Sequence, residues 1–221
     1  MSPRALLTAA VVLLIASLPS QSVELADRLL PTTPFREWST LQSQVTATDL
    51  SQIWRMPLAN LPKGGEGYLM VAYQVERAPS AAEATRRALA MTRRERFNDY
   101  AARGYTVNAE PWPVLGTHGV LFTVSGMNHN AEKLRAHRAE IFTFATAVDT
   151  DAILLEVRQS VTVSELEQAP RALRTAGGRE LAEKTVALLR DLWRPPTIPP
   201  AEPEPPAQPA APTSPPPPAQ A

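Results

Sequence analysis

The chain has no cysteine among its 221 residues. That absence excludes a disulfide framework and a cysteine-borne lipid anchor, so a hydrophobic core must hold the fold unaided. An excess of one charge is also lacking, since 22 basic residues balance 22 acidic ones. Near-neutrality excludes the basic footprint that non-specific nucleic-acid binding needs. Histidine is scarce: His118, His129 and His137 stand at no H-x-x-x-H or H-E-x-x-H spacing. No metal site and no cofactor is expected, and the histidines read as solvated loop residues.

Catalytic motifs are missing too. Ser125 sits in Thr-Val-Ser-Gly-Met, which lacks the first glycine of a nucleophile elbow. Gly64-Gly65-Glu66-Gly67 has no following Lys-Ser/Thr and precedes a strand pattern, so it is no phosphate-binding loop. Asp149 and Asp151 read as turn chemistry, because aspartate bonds its own backbone there and two carboxylates do not make a calcium site. The chain is expected not to be an enzyme.

What is present begins with an export address. Arg4 precedes an uncharged stretch over 5–18, and Pro19 ends any helix there. Its apolar core of about 14 residues falls short of the about 20 that span hydrocarbon. Ser20 and Ser22 supply small side chains for cleavage after Ser22, so 1–22 reads as a signal peptide. Removing Arg4 with it leaves 21 basic against 22 acidic residues. The expected location is periplasmic or secreted, with no transmembrane segment after signal cleavage.

At the other end, 13 of the 23 prolines fall in 195–221. Proline fixes φ and donates no hydrogen bond, so this tail is expected to be disordered or polyproline II, either a solvated extension or a docking strip. Thr213 and Ser214 within it are candidate acceptors of O-linked sugar. Between the two ends, 23–37 reads as a lead-in with Pro31 and Pro34. The span 38–194 reads as one domain, of ordinary size for a single core.

Within that domain Leu41, Ser43, Val45 and Ala47 alternate with polar residues, predicting a half-buried strand. Leu50, Ile53 and Trp54 suggest a second. In 68–75, Leu69, Val71, Tyr73 and Val75 share one face of a third. Ser80 and Glu83 have capping-box spacing, predicting one long helix over 81–103, with Gly104 as its left-handed stop. Strand patterns follow at 105–109, 120–124, 141–148 and 152–157, the last two flanking a hairpin turn. After Gly177-Gly178, Leu181, Thr185, Leu188 and Leu192 recur at helical spacing, widened by Leu189 and Trp193. The expected fold class is therefore α+β: an antiparallel sheet packed by one long helix and a C-terminal helix.

This order of elements, with its closing hairpin-plus-helix over 141–193, resembles the PsbP-like sandwich, which includes DcrB-type exported bacterial proteins. The resemblance spans about 38–193 and carries no signature residues. It implies a non-enzymatic accessory that binds a partner protein or an envelope component.

One residue constellation stands out. On a continuous helix, Arg86, Arg93 and Arg96 fall on the side of Leu89, Phe97 and Tyr100, while Ala81, Ala84, Ala88 and Met91 form a second apolar face. With the alanine face on the sheet, the arginine–aromatic side is a candidate site for an anionic or amphiphilic small ligand, since guanidinium matches carboxylate and phosphate. The competing reading lays the arginine stems along the helix with their heads in water, neutralised by Glu83, Glu95 and Asp99.

Overall fold

In the computed structural model the described residues are 24–115, 117–128 and 135–193, without the side chains of 117, 118, 128 and 166. The signal peptide, the proline tail and His129 lie outside them. Strands β1 (Ser39–Val45), β2 (Asp49–Pro57) and β3 (Glu66–Arg77) form a first antiparallel meander. After helices α1 (Ala81–Met91) and α2 (Asn98–Ala102) come β4 (Thr106–Val114), β5 (Thr117–Asn128), β6 (Arg135–Val148) and β7 (Asp151–Val163). Helices α3 (Ala169–Ala176) and α4 (Gly178–Leu192) close the order. The seven strands make one sheet, ordered β1-β2-β3-β7-β6-β5-β4 and antiparallel throughout. The α+β class is thus as expected.

Alternation along the strands divides the sheet's side chains between two faces. The first face carries Trp54, Tyr73, Trp112, Phe142, Phe144 and Leu155, buried under Ala182, Val186 and Leu189 of α4. Of its expected stripe Thr185 and Leu189 are buried and Leu181, Leu188, Leu192 and Trp193 pack half-buried against the core, with Ala182 and Val186 buried beside them. The unexpected helix α3 extends this layer over Ala136, Val161 and Val163. Gly178 opens α4 against the sheet, where its N–H donates to Gln159 Oε1 at 3.0 Å and an added Cβ would meet the same side chain at 2.4 Å.

The segment read as a lead-in belongs to this core. Leu25, Leu30 and Phe35 are buried, and the Phe35 ring stacks on Trp54 with centroids 4.5 Å apart. Buried Gln52 holds the segment down by accepting the Leu30 N–H at 2.8 Å. At the end of α4, Trp193 Nε1 donates to Tyr73 Oη at 2.9 Å, and Tyr73 Oη donates to the Arg28 carbonyl at 3.0 Å. The Arg28 guanidinium lies over the Trp193 ring and also reaches the Leu192 carbonyl. Burial pushes the Tyr73 phenol above its usual range, against the Trp193 bond and the nearby Arg28 charge.

The single long helix over 81–103 is not what forms. The N-terminal half begins as expected, with the Glu83 N–H donating to Ser80 Oγ at 3.2 Å. Then Thr92 turns its hydroxyl onto the Leu89 carbonyl at 2.9 Å, and Arg93 is extended. A 3-10 turn, Arg94–Phe97, leads into α2. The reason is phase. Nine residues at about 100° each would set Phe97 opposite Ala88 on one continuous helix. Both are buried, Ala88 with Ala84 under α1 and Phe97 against Phe122, 4.7 Å between centroids. Only a break satisfies both. Gly104, at φ +83°, ends α2 as expected: its N–H reaches the Ala101 carbonyl and the next N–H, of Tyr105, reaches back to Tyr100.

The expected β6–β7 hairpin forms with Asp149 at φ +51° in its turn and Val148 paired to Asp151. In contrast, β1 is a strand but not a half-buried one, since all seven residues are exposed. It lies at the sheet margin with Leu41 and Val45 uncovered. Among the described residues, no helix is long and apolar enough to cross a membrane.

Candidate functional site

The second face of the sheet is only partly covered. Helix α1 lies over β6 and β7, and the 94–102 segment over β4 and β5. Toward β2 and β3, the side chains of Ser51, Ile53, Met70 and Gln74 stay half-buried. Period two on β7 sets Glu156, Arg158, Ser160 and Thr162 along this face, beside Tyr68 and Met70 of β3.

Glu156, 4 % exposed, is the pivot. Arg96 Nη2 donates to one carboxylate oxygen at 3.1 Å and Arg158 Nη2 to the other at 3.0 Å. Arg158 Nη1 also reaches Tyr100 Oη at 3.4 Å, while its Nε is buried with no hydrogen-bond partner. Burial opposes the Arg158 charge, but Glu156, Tyr100 and Tyr68 outweigh it and raise the pKa, so the guanidinium stays charged. Arg96 Nη1 donates to the Met91 carbonyl at 2.5 Å, capping the last turn of α1 with positive charge.

Farther along the same face lies a cleft of about 570 Å³. Arg55, Tyr68, Ser160 and Thr162 line it from the sheet, and the 58–66 loop closes it with Leu61, Lys63 and Gly65. The Arg55 guanidinium lies 4.3 Å above the Tyr68 ring. Neither Arg55 nor Lys63 has an acidic partner among the described residues. Gly67 keeps the wall thin, because a Cβ there would meet the Ser160 carbonyl at 2.7 Å. Beyond Thr162, His137 Nδ1 stands 3.3 Å from Thr162 Oγ1, with the Tyr105 ring set edge-on to its imidazole at 5.5 Å. Burial, and secondarily the Arg158 charge, hold the His137 pKa below its ordinary value. His137 is therefore a half-buried strand residue and not the solvated loop residue expected of it.

The sequence-derived ligand face is redistributed by the helix break. Arg96 and Tyr100 do come together, on the sheet cluster. Phe97 is 4 % exposed and sealed in the core, so it offers a ligand no surface. Arg86 points away, 77 % exposed and held in two bonds by Glu83 at 2.7 and 2.8 Å. Arg93 is exposed in the extended break. Glu156, Arg158, Tyr68 and Arg55 were not singled out. The readable signal was a carboxylate and a guanidinium two residues apart inside the apolar run of β7, which puts both on one face of a buried strand.

Fold and cleft together define an α+β domain with helices on both faces of one antiparallel sheet and, on its less covered face, a cleft lined by Arg55, Lys63, Glu66 and Tyr68. No family model and no curated protein matches the chain. A crystal structure of CalU16 from Micromonospora echinospora is similar over 63 % of this chain and 98 % of that one, at 13 % identity and a TM-score of 0.22. At that score the likeness carries no argument.

Proposed function

We propose that the chain is an exported, non-enzymatic accessory protein of PsbP-like type that binds an anionic component of the cell envelope. Support for the kinship is the order of elements, three strands, a helical segment, four strands and closing helices. The observation that carries the binding reading is the cleft on the second face. It brings Arg55 and Lys63, two cations lacking acid partners among the described residues, over a floor of Tyr68, Ser160 and Thr162. Guanidinium matches phosphate and carboxylate in fork geometry. The half-buried Ile53 and Met70 beside it supply apolar contact for an amphiphile.

The test is co-sedimentation of the full chain with vesicles of phosphatidylglycerol and phosphatidylcholine, against phosphatidylcholine alone. Arg55→Ala with Lys63→Ala should lower binding to anionic vesicles by about tenfold or more, each cation contributing about 1 kcal/mol. Inorganic phosphate as competitor separates a headgroup site from a membrane-surface effect. Equal binding by the wild-type and double-substituted chains sinks the reading. A partner protein recruited by the tail is the rival, and deletion of 195–221 should abolish envelope association only in that case.

A further inference from the structure

Among the described residues the sheet has two unpaired margins, β1 and β4, and they are treated differently. β4 carries Pro111 and Pro113, which have no N–H to offer a further strand, and a charge at Glu110. β1, with the sequence Ser-Thr-Leu-Gln-Ser-Gln-Val, has no charge and no proline. Its only irregularity is a bulge between Thr40 and Gln42, after which the register with β2 runs unbroken to Val45.

The orientation of its main-chain groups follows from the hairpin. The Thr46 N–H donates to the Asp49 carbonyl at 2.7 Å, which makes that a hydrogen-bonded pair. Antiparallel alternation then directs the backbone of Gln44 and Gln42 at Ser51 and Ile53 and turns that of Val45 and Ser43 outward, while Leu41 is the extra residue of the bulge and stands outside the alternation. Val45 carries an uncovered apolar side chain, 39 % exposed, as does Leu41 in the bulge, 56 % exposed. Leu29, also exposed, adjoins Leu30, whose backbone is fastened to Gln52 on the same face.

We infer that β1 pairs with β1 of a second copy of this chain, antiparallel about a two-fold axis through Ser43. Within the regular stretch Gln-Ser-Gln over 42–44 reads the same in both directions, and the apolar Leu41 and Val45 flank it. Ser43 meets Ser43, Leu41 meets Val45, and Gln42 meets Gln44. The outward N–H and C=O groups fall opposite one another in hydrogen-bonded pairs, and the apolar side chains pair on one face. No like charges meet along the strand, and the two sheets become one continuous sheet. This pairing is independent of the cleft, which lies on the other face around β3 and β7.

The test is analytical ultracentrifugation of the full chain, tail included, over a dilution series. A monomer–dimer equilibrium is expected. Ser43→Lys sets two ammonium groups facing across the axis and should raise the dimer Kd at least about tenfold, with an unchanged unfolding midpoint. Glu110→Lys on the guarded margin should leave it unaltered. Because the chain has no cysteine, Ser43→Cys gives a second readout that tolerates poor folding of the lysine variant. A Cα separation of about 5.5 Å in such a pair suits a disulfide. Oxidation should then trap dimer at least about tenfold faster than in Glu110→Cys, as the encounter is replaced by a held pair. A chain monomeric at every concentration, or equal trapping rates, overturns the inference. A monomer that loses a different protein partner on Ser43→Lys overturns it too, and gives the margin to another protein's strand.

Discussion

The two faces of the sheet are built from alternate residues of the same strands, yet they are filled by opposite chemistry. The first is closed by apolar contact, from Trp112 and Phe142 at one side to Phe35 on Trp54 at the other. Its buried polar groups, Gln52, Gln159 and Tyr73, each hold down a covering segment. The second face is covered over β4 to β7, and there buries a carboxylate between two arginines. Where the layer stops, a cleft remains. One face thus supplies the stability that lets the other keep charged groups inside it, at a cost that apolar residues would avoid.

Perturbing each face in turn sharpens that contrast. On the first, Trp112→Ala empties a fully buried site and should cost about 3–5 kcal/mol, read as a fall in the urea midpoint at constant m value. On the second, Glu156→Ala strands the Arg158 charge and should cost about 2–3 kcal/mol, moderated because Arg96 keeps 30 % exposure and can turn to water. Adding Arg158→Leu and Arg96→Leu should restore much of that loss; an additive further loss would show that the charges stabilise the fold outright.

The smallest effect is one of pH. His137 has a folded pKa below its ordinary value of 6.5, so its neutral form is native. The unfolded chain then binds the proton more readily, and stability present above pH about 6.5 is lost as pH falls through the lower, folded pKa. His137→Gln should flatten the unfolding midpoint across that window. A midpoint equally steep in the variant would assign the dependence to other groups.

Periodic elements were legible because one face of each repeats. Leu69, Val71, Tyr73 and Val75 declare β3, and the 148–151 turn declares the β6–β7 hairpin that flanks it. Segments without a period gave no such signal. Leu25, Leu30 and Phe35 are buried to 2–3 % exposure, but they sit on a strap without a period, interrupted by Pro31 and Pro34, that reads as a lead-in. The break at Thr92-Arg93 was hidden for another reason. Every residue from 81 to 97 tolerates a helix, and only the need to bury both Ala88 and Phe97 against one sheet forces the turn. The candidate site was half legible: Arg96 and Tyr100 came from the helix pattern, whereas Glu156 and Arg158 depended on knowing which face of β7 is covered. For β1 the pattern was right and the burial wrong, because alternation marks a strand without saying whether anything lies on it.

The sheet order has a consequence for how the chain is made. Strands β1 to β3 can zip as neighbours soon after they emerge, and β4 to β7 likewise, but the seam between β3 and β7 joins residues as far apart as Glu66 and Thr162. The Arg28–Trp193–Tyr73 clasp spans nearly the whole described chain. A chain delivered from its N-terminus therefore remains two unfinished half-sheets until β7 arrives, and its strap is unlocked until Trp193 does. High contact order of this kind delays folding. The fold is thus completed by the arrival of β7 and Trp193, late in the chain.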